Sequence, residues 1–203
     1  MFIGAQVSLY PMTSDFVDVI KSGLTALTPY TDDVRIETDD MSTLMVGAPE
    51  PLLDAIRDLF AEAARRPEHV TMHVTLSRGC PGEPDDPSCH CEALVRAQDL
   101  SLEDRKALAS EAVAAAPDLG VGIDVQFSLY VLGQDHHMDE IYGCIDFLKS
   151  SGCFAQSKNF CTKLRGDAGP VFETLSQAFT RFGAEAGHVA LDVTLSANSP
   201  TRV

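Results

Sequence analysis

Apolar and polar residues alternate from Ile3 to Tyr10, with Ala5, Val7 and Leu9 on one side and Gln6, Ser8 and Tyr10 on the other. A period of two predicts a strand with one buried and one polar face. Pro11 ends it, and Thr13 or Ser14 is placed to cap the helix that follows. Phe16, Ile20, Leu24 and Leu27 recur at helical spacing and predict one apolar stripe, which stops at Thr28-Pro29. Val34 to Thr38 and Ser42 to Val46 read as a hairpin turning at Asp39-Asp40. Gly47 and Pro49 lead into a second helix with Leu52, Leu53, Ile56, Phe60 and Ala63 turned inward. Pro67 breaks that helix, and His69 to Ser77 alternates again, with Val70, Met72, Val74 and Leu76 toward the core. Strand, helix, strand, strand, helix, strand is the split βαβ unit of ferredoxin-like folds, in which two helices cover one face of a four-stranded antiparallel sheet.

The pattern then starts again. Gln6 to Tyr10 returns 120 positions later as Gln126-Phe127-Ser128-Leu129-Tyr130, and His69 to Ser77 returns 119 positions later as His188 to Ser196. Val125 to Leu132 opens the second copy, Met138, Ile141, Ile145 and Leu148 mark its first helix, and Phe154 to Gly166 holds its hairpin. The inward stripe of the earlier second helix maps at offset 119 onto Val171, Phe172, Leu175, Phe179 and Phe182. A repeat this long signals a duplicated domain. The predicted fold class is therefore α+β: two tandem ferredoxin-like (βαββαβ) repeats with antiparallel sheets. They occupy residues 1–78 and 124–203, joined by a linker at 79–123. Within the linker Gly79 to Pro87 is dense in turn formers, and Ser101 to Ala116 predicts a helix with Ser101 and Asp104 as a capping box, placed to dock between the halves.

Composition narrows the function. A formal charge of −15 over 203 residues opposes a run of phosphates, so no nucleic-acid partner is expected. Apolar runs fall short of the roughly 20 residues of a membrane span, and Met1-Phe2-Ile3 lacks the pattern of a leader. A cytoplasmic protein without membrane insertion is expected, with its six cysteines reduced. Halves of roughly 80 residues would each be marginal alone, so they are expected to pack on each other and to form a further dimer contact.

In this topology the first strand is central, and its exit lies beside the entrances of the third and fourth. That gathers Tyr10, Met12, Asp39, Asp40, Ser42, Thr43 and His69 at one end of the first unit, with Ser8 on the polar sheet face. The second unit gathers Tyr130, Asn159, Thr162 and His188, with Ser128 as a further candidate ligand on the polar sheet face. Hydroxyls, amides and an aromatic wall suit a small-molecule ligand, and Tyr10 beside Asp39 or Asp40 suits a cationic ring. The same residues fit a polar sheet face packed in an ACT-like assembly module, with Asp-Asp as an ordinary turn. Cys80, Cys89, His90 and Cys91 raise zinc, but their spacing lacks the paired knuckles of structural sites, so no metal is expected. Nucleophile elbows and glycine-rich phosphate loops are absent from the sequence, and the chain reads as a non-enzyme.

Ser8-Leu9-Tyr10-Pro11-Met12, Ser77 with Gly79-Cys80-Pro81-Gly82, and Leu195-Ser196-Ala197-Asn198-Ser199-Pro200 resemble the YkoF-type thiamine/hydroxymethylpyrimidine-binding proteins. The resemblance covers both repeats. It implies a cytosolic homodimer without cofactor that binds thiamine or its hydroxymethylpyrimidine precursor, one pocket per repeat, in vitamin uptake or salvage. Two features depart from it: Val131-Leu132 replaces Pro11-Met12, and Lys163 and Arg165 stand where the first unit has Leu44 and Val46.

Overall fold

The computed structural model describes residues 2–80, 100–132, 138–183 and 188–201. The first half runs β1 (Phe2–Pro11), α1 (Phe16–Thr25), β2 (Val34–Thr38), β3 (Thr43–Gly47), α2 (Pro49–Ala64) and β4 (Val70–Cys80). Helix α3 (Leu102–Ala115) follows. The second half runs β5 (Gly122–Leu132), α4 (Met138–Ser150), β6 (Phe154–Ser157), β7 (Thr162–Asp167), α5 (Ala168–Arg181) and β8 (His188–Ala197). Both halves thus have the βαββαβ order of an antiparallel α+β fold.

The two sheets are one. Strand order is β2-β3-β1-β4-β8-β5-β7-β6, with β4 and β8 paired antiparallel from Val70↔Ala197 to Arg78↔Val189. The motif that the chain repeats, His69 to Ser77 and His188 to Ser196, is therefore the seam joining the two copies. Val74 pairs with Val193, its own equivalent at offset 119, so a pseudo-twofold axis passes between them. Around that axis His69 Nε2 lies 3.0 Å from Ser196 Oγ, and Ser77 Oγ lies 3.1 Å from His188 Nε2. His73 meets Asp192, again its own equivalent, at 3.0 Å. Closing the seam pairs two strands that would each be an exposed edge.

One core runs under the whole sheet. The strand positions Val7, Val74, Val193 and Phe127 lie side by side in one register row and are all buried. Leu52, Ile56 and Phe60 of α2 and Val171, Leu175 and Phe179 of α5 cover them, with Phe60 and Phe172 meeting at 6.4 Å between ring centroids. Arg78 of β4 is also buried and crosses the repeat boundary. Its Nε and Nη2 donate to the carbonyls of Phe179 and Phe182, each at 2.7 Å. Burial pushes its guanidinium down to about 10, and the paired carbonyls make that burial tolerable.

Helical periodicity places Leu27 and Leu148 correctly in the core but misreads the first turns of α1 and α4. Phe16 and Met138 are about half exposed, and the buried positions are Val19 and Gly23 in α1 and Gly143, Cys144, Phe147 and Leu148 in α4. Glycine decides the phase, because close approach needs a bare backbone. A Cβ on Gly23 would sit 3.1 Å from Leu59 Cδ1, and one on Gly143 would sit 2.6 Å from Leu102 Cδ1. Leu102 belongs to α3, which packs on α4 and α5 of the second half and not between the halves. Ser101 Oγ accepts from the Asp104 amide at 3.2 Å and caps it. Arg105 clamps α3 down, donating from both terminal nitrogens to Glu140 at 2.6 and 2.7 Å and to the Arg181 carbonyl at 2.6 Å.

Candidate functional site

The first half builds a hollow where β1 leaves the sheet beside the β2–β3 loop. The loop is closed by Asp39, whose Oδ1 accepts from the Met41 amide at 2.8 Å and the Ser42 amide at 2.9 Å, while its own amide donates to the Ser42 carbonyl at 3.0 Å. Those two amides hold the Asp39 carboxyl below the usual carboxylate range. From the polar sheet face, Gln6 Nε2 donates to Ser42 Oγ at 2.5 Å and Ser8 Oγ donates to the Met41 carbonyl at 3.2 Å. Thr38 and Thr43 share a hydroxyl contact of 3.0 Å at the base. The sequence folds this way because an aspartate accepts from the backbone amides two and three residues on and so closes its own turn.

Behind the loop, Val7, Leu9, Ile20, Leu24 and Leu59 form the floor of a hollow of about 220 Å³. Tyr10, Asp39, Asp40, Met41 and Ser42 form its rim, with Thr38 and Thr43 on the inner wall. Of the eight residues singled out in the first repeat, Tyr10, Asp39, Asp40, Ser42 and Thr43 therefore line one space. Ser8 does not; it braces the loop from the opposite face of the sheet. Gln6 does the same. His69 is committed to the seam. Ile20 and Leu24, read as core, are only partly buried and serve as the wall of the hollow. Met41 is 74% exposed at a loop tip where a turn former is expected, and that misplaced apolar residue was the sequence signal for the mouth.

The second repeat copies the brace but not the charge. Ser128 Oγ donates to the Phe160 carbonyl at 2.7 Å, as Ser8 does to Met41, and the Lys158 amide donates to the Cys161 carbonyl at 2.9 Å, as Asp39 does to Ser42. Tyr130 is as exposed as Tyr10, at 51%, and Phe160 stands in the place of Met41 at 90%. Thr162 pairs with Phe127 as Thr43 pairs with Val7. Asn159 is exposed in the loop. Lys158-Asn159 thus replaces Asp39-Asp40, so the loop end carries an amine where the first repeat carries two carboxylates. Among the described residues no group of three His, Cys, Asp or Glu side chains could hold a metal, and Cys89, His90 and Cys91 lie outside the described residues.

Comparison with known proteins bears on this geometry. The model of the YKOF-related family matches residues 2–83 and 122–202, one match on each repeat. The chain belongs to that family. It is also 34% identical over 199 residues to a protein of Bacillus subtilis (strain 168) named "Putative HMP/thiamine-binding protein YkoF". That alignment spans 98% of this chain and 92% of the relative. Each repeat carries its own match, and the Gln, Ser and Tyr that recur in β1 and β5 hold or flank the two loops. Among the described residues no helix is long and apolar enough to cross a membrane.

Proposed function

We propose that the chain binds thiamine or its hydroxymethylpyrimidine precursor reversibly and without catalysis, with one pocket in each repeat, in uptake or salvage of the vitamin. The observation that carries this reading is the hollow of the first repeat, with an apolar floor and an acidic rim. At about 220 Å³ it is smaller than the roughly 300–1,000 Å³ of drug-sized sites, so it suits a single ring. An aminopyrimidine fits: its flat faces match Leu9, Ile20 and Leu24, and its amino group suits an acceptor such as Asp40 or Thr43. The charged thiazolium of thiamine then extends past Tyr10 and the two carboxylates, where opposite charge and an aromatic face both favour a cation.

In the second repeat the corresponding ligands are Tyr130, Asn159 and Thr162, with Ser128, first read as a ligand, bracing the loop as Ser8 does. The first site is the tighter one, because Lys158-Asn159 offers a cation nothing in place of Asp39-Asp40. The name of the relative supports the ligand class. Cytoplasmic residence and a homodimer belong to the same proposal. The polar sheet face, which carries no helix among the described residues, also favours a second reading as an ACT-like assembly module that dimerises through that face. Titration calorimetry with thiamine and with hydroxymethylpyrimidine separates them. Two unequal sites with the tighter one lost in a Tyr10 variant supports binding, and absence of heat with both compounds removes it in favour of assembly alone.

A further inference from the structure

A second hollow, of about 250 Å³, lies on the open face of the sheet in the second repeat. Its base is a patch of three adjacent strands read in two register rows. Ser196, Asp124 and Arg165 form one row, and Thr194, Gln126 and Lys163 form the next. Lys158 reaches in from the β6–β7 loop, its Nζ 3.4 Å from Gln126 Oε1, and Ser199 and Thr201 supply hydroxyls at the rim. None of the residues assigned above to the second vitamin pocket lines this space.

The charge there is out of keeping with the molecule. A chain with 15 Lys and Arg against 30 Asp and Glu repels anions over most of its surface. Among the described residues the lining holds three cations and one carboxylate, and Asp124 Oδ1 lies 2.7 Å from Arg165 Nε and 3.3 Å from Lys163 Nζ. The patch therefore keeps an excess of positive charge, and Arg165 meets Asp124 through Nε, so the guanidinium has further donors on its two terminal nitrogens. The fold does not demand these residues. The equivalent rows of the first repeat pair Gly4 with Val46 and Gln6 with Leu44, carry no charge, and sustain the same strand pairing.

From this we infer that the second repeat carries an anion site that takes a phosphate group, either inorganic phosphate or the phosphate of a small monoester. A phosphate brings more than one negative charge and three strong acceptor oxygens. That matches two lysines, a guanidinium and several hydroxyls lining one hollow. A carboxylate ligand, with a single charge and two oxygens, would only duplicate what Asp124 already supplies. The inference stands apart from the vitamin reading, which rests on the other end of the first repeat.

Titration calorimetry on the full chain at low ionic strength tests it, with inorganic phosphate and with glycerol phosphate as probes. Saturable binding is expected, weakened at least tenfold in Lys163→Gln and in Arg165→Gln, and strengthened severalfold in Asp124→Asn. Asp39→Asn, which alters the first hollow, leaves it unchanged. Tighter binding of the ester assigns the site to a monoester, and equal or weaker binding assigns it to free phosphate; both support the site. Melting temperatures of the variants report on folding, and the gain in Asp124→Asn cannot arise from misfolding. Absence of binding by both probes overturns the inference. So does a response that sodium chloride of equal ionic strength reproduces, or one that Lys163→Gln and Arg165→Gln retain.

Discussion

Replacing Glu140 by alanine tests whether α3 is a structural member of the second repeat or a passive connector. Glu140 accepts from Arg105 at 2.6 and 2.7 Å and from the Gly183 amide at 2.8 Å. The ion pair is nearly out of water, with side chains 6% and 13% exposed. Removing the carboxylate strips the buried Arg105 guanidinium of its bidentate acceptor, which costs about 3–5 kcal/mol for a buried pair broken on one side. For a chain of this size that is a fall in Tm of roughly 6–20 °C. Urea unfolding of wild type, Glu140→Ala, Arg105→Ala and the double variant gives the coupling directly. The double variant should cost less than the sum of the singles by about 1 kcal/mol or more, because the two side chains are in direct contact and each single change already breaks the pair.

The pH dependence adds a check on the same pair. Burial pushes the Glu140 carboxyl up, but the hydrogen bonds from Arg105 and Gly183, with the charges of Arg105 and Arg78, outweigh it and hold the carboxyl below its ordinary range. Its contribution is then fully present above the unfolded carboxylate value and is lost as pH falls through the lower, folded one. Glu140→Gln should flatten that acid limb. A loss below 1 kcal/mol in Glu140→Ala, or strict additivity in the cycle, refutes the reasoning.

Three further outcomes are expected. Asp167 caps α5 and accepts from the amides of Leu119, Val121 and Gly169 at 2.8–2.9 Å, so Asp167→Ala should cost about 2–4 kcal/mol in urea unfolding; a change within 0.5 kcal/mol, the range of ordinary surface substitutions, would show the loop finds other acceptors. Tyr10→Ala and Asp40→Asn should each weaken thiamine or hydroxymethylpyrimidine binding about tenfold while leaving Tm unchanged, measured by calorimetry, and unchanged affinity in both would displace the pocket. Cys144 is buried, and burial with the Glu140 charge pushes its thiol up to about 12, so it should resist a thiol reagent at pH 8 until the chain is unfolded; labelling of Cys144 in the folded protein, read by mass spectrometry, would contradict its placement.

The alternation of β1 and the inward stripes of α2 and α5 were legible because each of these elements faces only one environment: Leu52, Ile56 and Phe60 repeat at helical spacing and all are buried. The duplication was legible for the same reason, since equal packing demands left equal residues at a constant offset. Periodicity was right only in part on α1 and α4, where Leu27 and Leu148 are buried but Phe16 and Met138 are not. Ile20 and Leu24 wall a hollow while Gly23 makes the core contact, and a hydrophobicity pattern assigns no weight to glycine.

The chain alone therefore determined the two βαββαβ units, the polar and apolar faces of their strands, and the end of the first unit at which Tyr10, Asp39, Asp40, Ser42 and Thr43 converge, because these follow from short-range periodicity and antiparallel connection. Only the tertiary structure decided that the repeated histidine-serine strand is a seam, that α3 belongs to the second half, and that Lys163 and Arg165 share a hollow with Lys158 on the open face. Each of those depends on which strand edge or helix face meets which partner. Edges pair through backbone groups that every residue carries alike, so side-chain pattern holds no record of the choice.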